Sequence, residues 1–374
     1  MNRSPGSDVI REATAAFDFA GDVIHTSRLP GGHIHRNFLV TCRGGRYVLQ
    51  RLNGTVFLDL SLVLANVERL THHLAASGWC APGLVLARDG TFSFRTVDGG
   101  TWRAFHYLEG TVGGDTLGRP QAAYEAARCC AAYLLAIADL PGPPLLETID
   151  HFHDLPYRMD GLDAVANSDP VGRRSSVDDQ IDRARRLGQM VFDELTSRGG
   201  RTPVRLVHND AKLSNVLFDA KNGQAVCIID FDTTMPGQVR HDVGELVRTA
   251  ISHAPEDATD EAAVDFDLEL LDGLACGFFA GSIELEPSEV TVLAVGGAEM
   301  AVENAVRFLA DHIAGDRYFA IDRPAQNLDR CRTQLRLTEL MLDAQSEVDS
   351  CFHRAAGIAT PEVRRSASRG IGRR

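Results

Sequence analysis

LVHNDAKLSNVLFDAKNGQAVCIIDFD, residues 206–232, decides how the rest of the chain is read. Two short apolar runs, 204–207 and 216–218, are followed by a turn over 219–223 and a third run, 225–229. Each is rich in Val and Ile and ends in polar residues, which predicts three strands. His208, Asp210 and Asn215 follow the first run, and Asp230 and Asp232 follow the third. Phosphoryl transfer asks for a carboxylate beside the attacking hydroxyl and oxygen ligands for Mg²⁺ on the nucleotide phosphates. A kinase supplies them as His-x-Asp, an Asn five residues after that Asp, and a second Asp on the next hairpin. Asp210, Asn215 and Asp230 keep that order and spacing. The rival reading is a polar hairpin whose Asp and Asn side chains only form turns. Three polar positions in register after apolar runs favour the catalytic reading.

Upstream, the pattern predicts a helix over 8–19 and strands over 23–29, 37–42 and 47–52, separated by Gly turns. Gly31 and Gly32 are placed to let backbone N–H groups approach phosphates. The third strand of a kinase carries a lysine for the nucleotide phosphates. Here Gln50 stands at that position. It brings donors but no charge, so neutralisation falls to Mg²⁺ or to Arg51. An amphipathic helix is expected over 60–76, with Glu68 read as a solvated charge because there is no lysine to pair with it. Strands over 91–95 and 101–108 follow, and Phe105, Tyr107 and Leu108 form the expected hinge whose backbone holds adenine.

From Pro120 the character turns helical. Helices are expected over 121–137, 177–196, 264–279, 287–311 and 326–352, with a loop insertion over 156–177 and an irregular loop over 233–237. Asp242 is placed to cap the helix that follows that loop. The expected organisation is α+β and two-lobed: a small β-rich lobe over 1–109, a helical lobe over 110–353, and a disordered basic tail over 354–374. This is the protein-kinase-like plan.

Composition bounds the function. The chain has 374 residues, 44% of them apolar and 24% charged, as in an ordinary globular protein. A net charge of −13 argues against a general nucleic-acid binder. No apolar run reaches the ~18 residues of a membrane span, and no secretory signal is read at the N-terminus. Eight cysteines without a C-x-x-C pair read as reduced, buried thiols of a cytoplasmic protein. The oligomeric state is not legible.

HNDAKLSNVLFD (208–219) with CIIDFDTTMPG (227–237) resembles the aminoglycoside phosphotransferase and choline kinase superfamily, and within it the N-acetylhexosamine 1-kinases. The resemblance extends to GGHIHRNFLV, YVLQRLN, TIDHFHDLPYR, RFLADHIAGDRYFAI and QNLDRCRTQ. It implies transfer of the ATP γ-phosphoryl to the anomeric hydroxyl of an N-acetylhexosamine, with Mg²⁺ as cofactor and a sugar as the small-molecule partner. It makes Asp210 the catalytic base, Asn215 and Asp230 the Mg²⁺ ligands, and His208 a structural support. Asp232 is left between metal, sugar and a brace for the loop. Lys212 either approaches the transferring phosphate or lies on the surface. Arg307 and Tyr318 match a segment near the sugar, with mutual satisfaction of the two side chains as the alternative. Rival functions are a kinase for another acceptor, such as an aminoglycoside or amino alcohol, and a non-catalytic nucleotide binder, which Gln50 favours.

Overall fold

The computed structural model describes residues 5–29, 34–114, 119–200 and 202–357. Gly31, Gly32 and residues 358–374, most of the expected tail, lie outside them.

The small lobe is built on an antiparallel sheet of β1 (Val23–Arg28), β2 (Arg36–Cys42), β3 (Gly45–Arg51), β4 (Phe94–Arg95) and β5 (Thr101–His106), in the order β1-β2-β3-β5-β4. Alternation divides its two faces. Phe38, Val40, Tyr47, Leu49, Trp102 and Ala104 pack on one side with Ala13 of α1 (Ser7–Ala16) and with Phe17 and Phe19 beyond it. Each fully buried aromatic contributes roughly 1.5–3 kcal/mol by removal from water. The register sets Asn37 opposite Gln50 and Gln50 opposite Arg103, so three polar side chains form a row across β2, β3 and β5. The helix α2 (Leu60–Ala76) starts where Asp59 accepts the Ser61 and Leu62 N–H groups.

Beyond the small lobe, β6 (Thr111–Gly113) joins β8 (Val216–Asp219) and β9 (Ala225–Ile228) in a second sheet. β7 (Arg205–Val207) pairs with β10 (Met235–Gly237). The helices are α3 (Arg119–Ile137), α4 (Leu155–Ser168), α5 (Asp178–Ser197), α6 (Val239–Ala250), α7 (Leu268–Ala280), α8 (Pro287–Ala314), α9 (Gln326–Asp343) and α10 (Gln345–Ala355). α8 is buried along most of its length and packs on α6 and α9. A Cβ on Gly244 would stand 2.3 Å from the Gly296 carbonyl oxygen, and one on Gly296 would stand 2.4 Å from that of Arg240. The α6–α8 crossing therefore admits only glycine there, and it fixes the helix that braces the site.

The α+β, two-lobed plan is the observed one, and several local expectations are corrected. The expected loop over 156–177 begins as α4, whose polar composition hides a narrow buried stripe of Leu155, Leu162 and Ala166; Asp154 caps it. The expected loop over 233–237 contains β10, held by its ladder to β7. The helix expected over 264–279 starts only at Leu268, capped by Asp267, and the one expected over 326–352 breaks at Ala344 into α9 and α10. The first helix ends at Ala16, because Phe17 bridges to Ala87. All eight cysteines are free, six of them buried, but Cys80 and Cys276 are exposed. Among the described residues no helix is long and apolar enough to cross a membrane.

Candidate active site

β7 ends at Val207 and delivers His208, Asn209 and Asp210 into a buried turn. Asn209 sits in the left-handed region, at φ 62°, a strained setting for a residue other than glycine. Its surroundings hold it there. The Asp242 carboxylate accepts the backbone N–H groups of His208 (2.8 Å) and Asn209 (2.6 Å). The Asn209 amide donates to the carbonyls of Thr233 and Met235. Asp242 lies within the first turn of α6, whose N-cap is Gln238, so it braces the turn rather than capping its helix. Burial pushes its carboxyl up to about 6 despite those two donors. His208 donates from Nε2 to the Ile229 carbonyl at 3.0 Å and accepts the Asp210 N–H on Nδ1 at 3.3 Å, which ties the two loops together.

Asp210 receives Lys212 Nζ at 2.7 Å and Asn215 Nδ2 at 3.1 Å, both on Oδ2. No described residue donates to Oδ1. Burial opposes its ionisation, but Lys212 and His208 outweigh burial and hold it below the usual carboxylate range. Asn215 spends its amide N–H groups on Asp210, leaving its own Oδ1 without a donor. Asp230 also has a left-handed backbone, at φ 71°, and its carboxylate accepts no hydrogen bond from the described residues. Burial, then the neighbouring Asp232, raises its pKa. An unsatisfied carboxylate facing a cleft next to a second one is a place that gains from a cation. No group of three or more His, Cys, Asp and Glu forms a ready metal cage among the described residues. Mg²⁺ on a nucleotide needs only one or two carboxylates, with phosphates and water completing its shell. Asp230 and Asn215 fit that donor set.

Asp232 is committed elsewhere. Arg103 grips it with Nη1 at 2.6 Å and Nη2 at 2.9 Å, and His35 Nε2 donates to it at 2.5 Å. Burial opposes ionisation, yet Arg103 and His35 hold this carboxyl far below its ordinary range. Of the uses left open for Asp232, the geometry provides the brace. Arg51, the expected alternative cation for the phosphates, pairs with Asp98 at 2.9 Å and lies near the Trp102 ring. Glu68 has no ion pair among the described residues.

A cavity of about 260 Å³ connects Asp210, Lys212, Asp230 and Asp232 to a second end lined by Arg248, Arg307, Tyr318 and Arg330. Arg307 reaches the Tyr318 hydroxyl at 3.4 Å and stacks its guanidinium over Phe152, Tyr318 and Phe319. The two therefore touch each other and also face the cavity. Neither Arg307 nor Arg330 has a carboxylate partner among the described residues, and the buried Nε of Arg330 has no acceptor. Glu256 is tied to Arg248 at 2.5 Å.

The profile of the phosphotransferase enzyme family (APH) matches residues 25–276. The chain belongs to the phosphotransferase enzyme family. Solved structures share this phosphotransferase's fold at low identity. A microcompartment-associated aminopropanol kinase has TM-score 0.62 and 15% identity over 92% of this chain and 99% of its own. An aminoglycoside phosphotransferase from Alicyclobacillus acidocaldarius has TM-score 0.60 and 16% identity over 96% and 99%. An amicoumacin kinase in complex with AMP-PNP, Ca²⁺ and Ami has TM-score 0.60 and 13% identity over 88% and 93%.

The remaining expected nucleotide contacts are spread out. Gln50 sits in the polar row of the sheet and, like Tyr107 and Leu108, does not line the cavity. Phe105 is buried within β5. The Tyr107 N–H is taken by the Arg46 carbonyl, and the Leu108 carbonyl accepts the Thr111 hydroxyl. The sequence reading missed His35, Arg103, Arg248 and Arg330. A charged residue inside a strand of aromatic neighbours, TWRAF, was the available signal for Arg103.

Proposed function

We propose that the protein is an ATP-dependent kinase for a hydroxyl of a small sugar that carries no positive charge. The anomeric hydroxyl of an N-acetylhexosamine is the first candidate. The observation that carries this reading is the charge of the acceptor end. Four acidic residues line the cavity: Asp210, Asp230, Asp232 and Glu256. Two face the transfer, one is held by Arg103 and His35, and one is paired to Arg248. The same wall presents the guanidiniums of Arg307 and Arg330, neither of which has a carboxylate partner among the described residues. A cationic aminoglycoside or amino alcohol would meet like charge there. A sugar's hydroxyls and an acetamido carbonyl accept such donors, and its ring lies on apolar faces such as Phe152 and Phe319.

In this reading Asp210 Oδ1 receives the acceptor hydroxyl. The oxygen attacks the γ-phosphorus in line, the bond to the β–γ bridging oxygen breaks, ADP leaves, and the hydroxyl proton passes to Asp210. Lys212, which touches Asp210, offsets negative charge at the transfer point. Asp230 and Asn215 Oδ1 would hold Mg²⁺, which draws charge from the phosphate oxygens when bound. The Leu108 N–H, unused by described residues, is offered to adenine. ADP release with a panel of neutral sugars, acidic sugars, aminoglycosides and amino alcohols tests the proposal. Turnover with N-acetylhexosamines, with Arg307→Ala raising the sugar KM and not the ATP KM, is expected. Turnover with the cationic acceptors alone would overturn it.

A further inference from the structure

The chain contains only two lysines, Lys212 and Lys221, and the whole small lobe has none. In a kinase the lysine of β3 brings that lobe's positive charge to the nucleotide phosphates. The polar row across the sheet carries a cation of another kind. Gln50, at the lysine position of β3, accepts Arg103 Nε at 2.8 Å and donates to Asn37 Oδ1 at 3.1 Å. It thereby aims a guanidinium one strand away. That guanidinium is 1% exposed and spends its two terminal nitrogens on Asp232, two residues beyond Asp230. The Asn53 N–H donates to His35 Nδ1 at 3.1 Å, so the His35 proton sits on Nε2 and joins the same carboxylate. On the other side, Thr148 donates to the Asp232 carbonyl at 2.7 Å. The turn that presents Asp230 is thus held from the small lobe by Arg103 and His35 and from the large lobe by Thr148.

We propose that Arg103, from β5, is a positioning residue: clamped on Asp232, it sets the Asp230 carboxylate for the cation carried by the nucleotide, a task distinct from the phosphate contact of a β3 lysine, because its guanidinium is spent on Asp232. Gln50 is then the residue that orients Arg103, not a lost function. A bidentate guanidinium suits this task because it fixes the plane of the carboxylate as well as its distance. The inference rests on the kinase reading above.

The test is calorimetric titration of ATP, with and without Mg²⁺, on wild type, Arg103→Gln, Asp232→Asn and their double variant, beside Mg²⁺ dependence of turnover and thermal melting. Groups that orient metal ligands typically change affinity by ~10–100-fold when removed. Arg103→Gln is expected to weaken Mg²⁺-dependent ATP binding by at least about tenfold, leaving metal-free ATP binding and the acceptor KM unchanged. The double variant should be no worse than the poorer single one. If Arg103→Gln does not fold, Arg103→Lys keeps the charge without the fork and should show an intermediate shift. A variant that only melts earlier, with Mg²⁺-dependent binding unchanged, would overturn the assignment while leaving the kinase reading intact. A wild type that binds no ATP would remove both.

Discussion

Lys212 and Asn215 both donate to one oxygen of Asp210, Oδ2, and leave the other, Oδ1, without a donor among the described residues, in a side chain that lines the cavity. The carboxylate is thus fixed in orientation and kept ionised by a cation, while half of its accepting capacity remains for an incoming hydroxyl. In the proposed reaction this separates what holds Asp210 from what it would act on.

Asp210→Asn is expected to lower kcat by ~10²–10⁴, the usual contribution of a positioned base. Nucleotide affinity should stay within a few-fold, because the shape is preserved. Steady-state rates and calorimetry on the folded variant check this, and a loss under about threefold would contradict the base assignment.

Asp230→Ala is expected to abolish Mg²⁺-dependent tightening of ATP binding, since it removes a cavity carboxylate that has no donor among the described residues. It should not lower the melting temperature. A carboxylate with no donor among the described residues, a raised pKa and a left-handed backbone contributes little to stability. Calorimetry at several Mg²⁺ concentrations measures the first part and thermal melting the second. Unchanged Mg²⁺ dependence would place the cation elsewhere.

The fold class was legible because its signals are local. Strands 216–219 and 225–228 show as short Val- and Ile-rich runs, and α2 shows as a Leu stripe with Asp59 ahead of it. The order His208, Asp210, Asn215, Asp230 is also local, lying within two hairpins. What was not legible depends on distance along the chain. Arg103 meets Gln50 across 53 residues and Asp232 across 129. Strand periodicity sets which face a residue takes but not which strand lies beside it. Asp242 was misassigned for a related reason. A polar residue at a helix start looks like a cap, and only the packing of α6 under β7 turns it toward the His208 and Asn209 amides. α4 was missed because an exposed helix with a narrow buried stripe has the composition of a loop.

The His153 ring gives a pH prediction. Its Nε2 faces the Asn209 carbonyl at 2.7 Å and its Nδ1 faces Glu303 at 3.0 Å, an arrangement that favours the protonated ring, which donates from both nitrogens. Burial works against that charge, but Glu303 prevails and the pKa is raised above 6.5. A raised histidine pKa contributes stability that is complete below the unfolded value and is lost as pH climbs through the folded one. Melting temperature is therefore expected to fall as pH rises beyond the ordinary histidine range, and Glu303→Gln should flatten that fall. Parallel curves for the two proteins would assign the pH dependence to other groups.

The central claim is that the γ-phosphoryl of ATP passes to a sugar hydroxyl positioned by Asp210. Phosphorus NMR of the mixture formed from ATP, Mg²⁺ and N-acetylglucosamine or N-acetylgalactosamine tests it most directly. ADP together with a sugar phosphomonoester coupled to the anomeric proton is expected, and neither is expected with Asp210→Asn. No phosphomonoester from either sugar, with phosphorylation of aminoglycosides instead, would contradict it.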